Sequence, residues 1–257
     1  LINTTKSATG LPDVIVSMGY DLRGHKTSMT DPDMGSWTYQ YNTFGELISQ
    51  TDAKNQTVDM SYDALGRMTE RMDPDGETVW IYDTLKPGLL TSVTYSQNGN
   101  TQYQRTYQYN ANNQLTHERV SIQSGPQRAT QFTYTAYGQH RDTIYPGGFR
   151  TRNFYNSRGA LSRVARVGGD GVTYWRARGW DETGQPNDIG YSMLSSPNDR
   201  FESYIARDPA RGHIDAVFSG QPGSVALQNL EYLWDKNGNL RRRQDNNQDA
   251  LYEQFTY

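Results

Sequence analysis

The chain has 257 residues, enough for one large domain or two ordinary ones. Its 25 basic and 28 acidic residues are mixed along the chain and leave a net charge of −3, which excludes a strong field for nucleic acid or a membrane surface. With no cysteine, disulfides and thiolate metal sites are excluded as well.

Only 34% of the residues are apolar, a level typical of disorder, yet disordered chains are poor in aromatics and this one holds 19 Tyr, 7 Phe and 5 Trp. A Tyr ring buries apolar area while its hydroxyl stays wet or hydrogen-bonded. Tyr, Trp and Thr also favour strands. The composition predicts a sheet protein with a thin core, and the long Ile/Leu/Val runs of a layered α/β enzyme are missing. No apolar stretch approaches the roughly 20 residues that span a bilayer. The start, Leu1-Ile2-Asn3-Thr4, has neither a signal pattern nor an initiator Met, which points to a fragment or a processed chain.

Residues 1–13 read as an irregular lead-in. From residue 14 to 184 a regular repeat runs. Tyr20-Asp21-Leu22-Arg23-Gly24 is followed by Tyr41-Asn42-Thr43-Phe44-Gly45 and Tyr62-Asp63-Ala64-Leu65-Gly66-Arg67, each 21 residues after the last. Tyr82-Asp83 follows at 20, with its glycine displaced to Gly88 beside Pro87. Tyr109-Asn110-Ala111-Asn112-Asn113 carries Asn in place of Gly. Tyr134-Thr135-Ala136-Tyr137-Gly138, Tyr155-Asn156-Ser157-Arg158-Gly159 and Trp180-Asp181-Glu182-Thr183-Gly184 continue the series. Trp234-Asp235-Lys236-Asn237-Gly238 closes it within 231–257, and Tyr257 opens a further unit.

Each unit has a physical reading. An alternating strand precedes the motif, as in Trp37-Thr38-Tyr39-Gln40-Tyr41, whose period of two puts the aromatics on one face. Asp or Asn after the aromatic can bond its own downstream backbone and start a turn. Gly three residues later accepts positive φ. That predicts a three- to five-residue hairpin loop ending in a left-handed residue. A second strand follows, then a second turn such as Asp31-Pro32-Asp33-Met34-Gly35, Asp73-Pro74-Asp75-Gly76 or Tyr145-Pro146-Gly147-Gly148. The predicted fold is all-β, a long antiparallel meander of about ten units and roughly twenty strands, which must curl or split because open sheets seldom exceed about ten strands.

The motif Tyr62-Asp63-Ala64-Leu65-Gly66-Arg67-Met68-Thr69 closely resembles the consensus of the Rhs/YD-repeat family. The resemblance runs from about residue 14 to the C-terminus and rests on eight or nine copies at 20–27-residue spacing. The stretch from Gly19 to Asp83 is also similar to bacterial proteins that join Rhs repeats to an upstream propeller region, among them the B components of ABC-type (Tc) toxin complexes. The resemblance implies a sheet strip that spirals into a hollow shell around a C-terminal toxic polypeptide. The implied partners are the remaining shell segments, the enclosed toxin and a secretion or translocation component, with no nucleic acid and no membrane span. It also implies a protein secreted or delivered by a bacterial secretion system. Rhs shells commonly end in an aspartyl autoprotease segment. Arg207-Asp208-Pro209-Ala210-Arg211-Gly212 lacks its spacing, and no protease residue is carried over.

The residues to watch are therefore structural ones: Tyr20, Gly24, Tyr41, Gly45, Tyr62, Asp63, Gly66, Arg67, Tyr109, Tyr134, Gly138, Tyr155, Gly159, Trp180, Gly184, Trp234 and Gly238. No catalytic, cofactor or metal residue is assigned, and the chain is read as a non-enzyme. The pairs Asp31/Asp33 and Asp73/Asp75 could serve acid–base chemistry or bind calcium, but turn formation explains every copy. His25, His117, His140 and His213 have no metal-ligand spacing, and His25 and His140, beside turn glycines, read as solvated strand residues. Gly168-Gly169-Asp170-Gly171 lacks the Lys-Ser/Thr of a phosphate loop and reads as a hairpin loop. Arg241-Arg242-Arg243 reads as a solvated strand end. Residues 185–230, with Ser195-Ser196-Pro197-Asn198-Asp199 and Ser219-Gly220-Gln221-Pro222-Gly223, read as degenerate repeats with an insertion suited to a partner contact. Two functions follow: a wall segment of a toxin shell, or a carbohydrate- or cell-surface-binding module whose Trp37, Trp80, Trp175, Trp180 and Trp234 stack on sugars.

Overall fold

The computed structural model describes residues 2–6, 14–123, 125–168, 172–192, 200–221, 227–247 and 251–257. Backbone contacts divide the chain into two units, Leu1–Thr130 and Gln131–Tyr257. Among the described residues there are 22 strands and no helix. The loops Gly169–Gly171, Ser195–Asp199 and Pro222–Gly223 lie outside the described residues.

The first unit runs β1 (Ile2–Lys6), β2 (Val14–Tyr20), β3 (Lys26–Asp31), β4 (Gly35–Tyr41), β5 (Leu47–Thr51) and β6 (Thr57–Tyr62). It continues with β7 (Met68–Asp73), β8 (Gly76–Tyr82), β9 (Leu90–Gln97), β10 (Asn100–Tyr109) and β11 (Leu115–Ile122). Every strand pairs antiparallel with the next. The second unit repeats the plan with β12 (Arg128–Tyr134), β13 (His140–Ile144), β14 (Arg150–Tyr155), β15 (Leu161–Arg166), β16 (Thr173–Trp180) and β17 (Pro186–Ser192). Then come β18 (Arg200–Arg207), β19 (Ile214–Gly220), β20 (Gln228–Trp234), β21 (Leu240–Asp245) and β22 (Leu251–Gln254), again each paired with its successor. The expected antiparallel meander is present in both units.

Period-two patterning places the side chains. In β4 the residues Trp37, Tyr39 and Tyr41 are half-buried and alternate with exposed Ser36, Thr38 and Gln40. Trp37 and Tyr39 stack with ring centroids 6.4 Å apart. Deep burial is rare: among the described residues the buried apolar side chains are Ala165, Ala177 and Ile189, joined by the polar Asp142, Thr143 and Ser219. Aromatic and aliphatic side chains thus lie along the sheet instead of filling a thick core.

The turns at the motif end share one geometry. In the hairpin from β6 to β7, Asp63 N–H donates to the Arg67 carbonyl and Gly66 N–H to the Asp63 carbonyl, at 3.0 Å each. Gly66 sits at φ +75°. The Asp63 carboxylate accepts from the backbone N–H of Leu65 and Arg67. This is a type I turn closed by a left-handed residue and a bulge, a twist that matches the flanking strands. The same two side-chain bonds recur at Asp21, Asn42, Asn110, Asn156, Asp181 and Asp235. Asn113 takes the left-handed place at φ 62°, as Asn tolerates that region best after Gly. The opposite end of the sheet uses the same device at Asp52, with Asn55 at φ 60°. It also uses the expected Asp-Pro turns: the Asp31 carboxylate accepts from Asp33 and Met34, and that of Asp73 from Asp75 and Gly76.

Asp52→Ala removes two side-chain bonds to backbone donors and is expected to cost about 1–2 kcal/mol in urea unfolding of the purified chain. Asp52→Asn keeps the acceptor and should lie within about 0.5 kcal/mol of wild type. Equal losses for both variants would show that the side-chain acceptor is not what holds the turn.

Candidate functional site: the repeat turns and a buried aspartate

Each ladder between one motif hairpin and the next stops short of the motif turn. The β5–β6 ladder begins at Ser49↔Asp59, two residues after the strand starts at Leu47. The Leu47 carbonyl therefore has no ladder donor facing it from β6. Tyr62 supplies one: its hydroxyl donates to Leu47 O at 2.9 Å. Tyr41 does the same to Lys26 O at 3.0 Å, Tyr109 to Leu90 O at 2.8 Å and Tyr155 to His140 O at 2.6 Å. Trp234 donates its indole N–H to Ile214 O at 2.9 Å. In every case the acceptor is the first residue after the preceding motif turn. The repeat aromatic thus ties its own hairpin to the one before. Burial pushes the phenols of Tyr62, Tyr109 and Tyr134 above their ordinary range.

A second tie runs turn to turn. At several turns the residue after the motif glycine sends its side chain toward the next turn. His25 stacks on Tyr41 with centroids 4.8 Å apart, and its Nδ1 lies 2.9 Å from an Asp21 carboxylate oxygen. A Cβ at Gly45 would stand 2.9 Å from His25 Nε2, and one at Gly66 2.9 Å from Glu46 Oε1. Gly159 and Gly238 approach Gln139 and His213 in the same way, at 3.3 Å. At Gly45 and Gly66 a Cβ would force the neighbouring side-chain tip to shift, a demand that adds to that of φ.

Arg67 makes the strongest link. Its Nε donates to Asp63 at 2.7 Å, and its two terminal nitrogens donate to the two Asp83 oxygens at 3.2 and 2.5 Å. Its guanidinium lies over the Tyr82 ring, 4.4 Å from the centroid. The Arg67 hydrogen bonds hold the Asp63 and Asp83 carboxyls below the usual carboxylate range. Where the motif breaks after Tyr82, Lys86 takes over and donates to Asn110 O, Ala111 O and Asn113 Oδ1.

One repeat turn escapes sequence reading. Asp208 N–H bonds the His213 carbonyl, Gly212 N–H bonds the Asp208 carbonyl, and the Asp208 carboxylate accepts from Ala210 and Arg211. Arg207 stands in the aromatic place. It donates to Pro186 O, the first carbonyl after the preceding turn, at 3.3 Å and pairs with Asp181 at 3.0 Å. An arginine for the aromatic and one extra residue in the loop disguise the motif. Trp180, by contrast, keeps the motif but not the tie, for its buried indole N–H has no partner.

The structure also gathers a group with no sequence signal. Asp142 is 1% exposed. It accepts from Arg152 Nε at 2.6 Å, Arg150 at 2.5 Å and Thr133 Oγ1 at 2.9 Å. Thr133, Asp142 and Arg152 face each other across β12, β13 and β14. Burial pushes the Asp142 carboxyl up, but the bonds from Arg152, Arg150 and Thr133 outweigh it and hold the group well below the usual range. No group of three or more metal-ligating residues occurs among the described residues.

Two expectations need correction. The histidines are not solvated: all four are half-buried. His140 Nε2 lies 3.1 Å from the Asp142 carbonyl and its Nδ1 3.2 Å from Asn153 Nδ2, while His213 packs on Trp234 with centroids 4.8 Å apart. His25 and His213 fill the space that the turn-to-turn approach creates. Nor is Arg241-Arg242-Arg243 a strand end. It lies within β21, with Arg242 over the Tyr252 ring and Arg243 paired to Glu253, because β22 brings those partners alongside.

Gly24 and Gly45 share φ +86°, but a Cβ at Gly24 meets nothing within 4 Å. Gly24→Ala should cost about 1 kcal/mol for its backbone conformation alone, and Gly45→Ala clearly more. In a His25→Ala background the excess at Gly45 should vanish, a double-mutant cycle read by urea unfolding. Additive losses would remove the turn-to-turn contact from the account. Asp142→Asn is expected to cost about 3 kcal/mol near neutral pH, since it strands two arginines. Because the folded pKa of Asp142 lies below its unfolded value, its stabilisation is full above about pH 4 and fades as pH falls toward the folded value. Stability measured from pH 6 to pH 2 should therefore fall less steeply below pH 4 in the variant. Parallel curves would contradict the depressed carboxyl.

The RHS Repeat family model matches the chain three times, over residues 20–57, 41–78 and 62–98. No curated protein matches it. The chain is similar in fold to the crystal structure of TcdB2-TccC3, with a TM-score of 0.59 at 13% identity over 94% of this chain and 15% of that one. It resembles TcdB2-TccC3-Cdc42 at a TM-score of 0.58 and 13% identity, over 94% of this chain and 14% of that one. It also resembles the Tc holotoxin pore of Photorhabdus luminescens, at a TM-score of 0.56 and 15% identity with 94% of this chain and 14% of that one covered. The chain thus spans about one seventh of the solved chains it resembles. Residues 20–98 thus carry repeats of the RHS Repeat family, and the turn geometry described above recurs beyond them to Gly238.

Proposed function

We propose that the chain is a wall segment of a bacterial Rhs or Tc-type toxin shell, curled with the rest of that shell around a toxin polypeptide. The observation that carries this reading is the unit-to-unit tie. A hairpin array whose members are joined by short aromatic bonds can extend without a thick core and so form a wall. The fold likeness to TcdB2-TccC3 over 94% of the chain supports it. The exposed apolar residues Leu22, Phe44 and Leu65 in three successive motif turns support it too, as surface for a neighbouring segment to cover. On this reading residues 1–257 are one repeat region, 185–230 being its least regular part, and the partners are the other shell segments and the enclosed polypeptide. The protein would be secreted or delivered by a bacterial secretion system, and no helix of the described residues is long and apolar enough to cross a membrane. The wall acts by containment and is assigned no catalytic step.

A carbohydrate-binding module is the less favoured alternative. It needs several coplanar rings in solvent, whereas Trp37, Trp80, Trp175, Trp180 and Trp234 are all half-buried.

The test is limited proteolysis of the longest natural chain that contains this segment. Containment predicts that the C-terminal polypeptide stays intact in the folded protein while the same polypeptide made alone is degraded. Equal cleavage rates would reject containment, and selective glycan binding would then favour the alternative.

A further inference from the structure

We infer that Arg163 and Arg176 form a receiving site for a carboxylate of an acidic polypeptide segment. The two residues are directly opposed across β15 and β16. Like charges in that position repel, and sheets avoid them. Neighbouring arginines on this sheet are neutralised. Arg150 and Arg152 share Asp142, and Arg178 pairs with Asp188 at 2.7 Å and with Glu202. Among the described residues Arg163 and Arg176 have no acidic partner. Stacking on Phe154 gives Arg163 a contact within the fold but leaves both charges without a counter-ion, which a bound anion would supply.

The local geometry suits a carboxylate. Phe154 faces Arg163 across β14 and β15, and the Arg163 guanidinium lies 3.8 Å from the Phe154 ring centroid. Stacking fixes the guanidinium plane before any ligand arrives. Opposed cross-strand residues start about 5 Å apart, so a carboxylate set between them lies near both charges, with the Arg163 guanidinium held toward Phe154 on β14. On the far side of Arg176 the opposed residue is Gly190, over which the Arg178 side chain lies. Phe154, Ser162, Arg163, Arg176, Arg178 and Trp180 line one shallow groove. Trp180 brings to it an aromatic surface.

Charge decides the class of occupant. The chain is net negative at −3, and the carboxylates of Asp142, Asp188 and Glu202 flank the pair. A continuous polyanion such as nucleic acid would meet those carboxylates, whereas a peptide can place a single Asp or Glu between the arginines and its apolar neighbours on Phe154 and Trp180. The inference goes beyond the wall reading, which requires no specific contact, and it stands whether or not the wall encloses cargo.

The experiment uses the folded chain and a fluorescein-labelled peptide of alternating Glu and Ser, read by anisotropy at low and physiological salt. Binding is expected for wild type, with at least a tenfold loss in the Arg163→Gln/Arg176→Gln variant. The charge-matched Arg128→Gln/Arg158→Gln variant should bind as wild type does. Thermal unfolding provides a readout that general charge loss would not move: Arg176→Gln should raise Tm in the free protein by relieving the repulsion, and the peptide should raise Tm of wild type but not of the double variant. The proposal is overturned by absence of peptide binding to wild type or by equal loss in both double variants. It also fails if oligothymidine binds as tightly with the same dependence on Arg163 and Arg176, which would make the pair a general polyanion patch.

Discussion

The fold depends on how a strand ladder is continued past a bulged turn. A type I turn with a left-handed fourth residue gives each hairpin the right twist, but it starts the outgoing strand two residues before the next ladder can begin. The first carbonyl of that strand faces the next hairpin without a backbone donor. A buried carbonyl left so costs about as much as a lost hydrogen bond. The remedy needs a flat side chain that covers the gap between strands and carries a donor at its tip. Tyr62 and Trp234 meet that requirement and Phe does not. Arg207 meets it by length and charge, reaching Pro186 O from the same place. The donor at the tip, more than aromaticity as such, explains why tyrosine dominates the motif.

That tie has consequences for the rest of the turn. Pulling one hairpin against the last brings successive turns close enough that His25 lies over Gly45 and Glu46 beside Gly66. The Asp or Asn of the motif then has two tasks. Its carboxylate or amide oxygen closes the turn on the backbone, and its second polar atom holds the residue that reaches forward, as Asp63 holds Arg67 and Asp21 holds His25. Each repeat is therefore braced through its neighbour, and a thin sheet with few buried aliphatics can still be ordered.

Features that depend on a few adjacent residues were legible in the sequence. The alternation in β4, the Asp63–Gly66 turn and the Asp-Pro turns all follow from local stereochemistry. Asn98-Gly99, with both residues at positive φ, is a strong hairpin signal too, though it lies off the repeat period. What depended on register was hidden. Nothing near Asp142 announces that Thr133 and Arg152 will face it, because a one-residue slip in either pairing would turn it to the other face. The half-buried state of His140 was hidden for the same reason, since it rests on Asn153 thirteen residues on. Arg207-Asp208 was hidden by its chemistry: a charged residue does the work of an aromatic one.

The polar interior of the second unit follows from the same thinness. A sheet without a thick apolar core has little to lose by burying a carboxylate, provided that every lone pair is met. Asp142 satisfies the condition with four donors from three residues, and its cost is set by register. Once arginines occupy successive cross-strand places to serve such a group, the row continues whether or not carboxylates do. The second unit shows both outcomes within a few strands: Arg150, Arg152 and Arg178 have their carboxylates, and Arg163 and Arg176 face one another. In a sheet of this kind electrostatic balance is local, so an unbalanced pair is a place where the sheet has chemistry to offer a second chain.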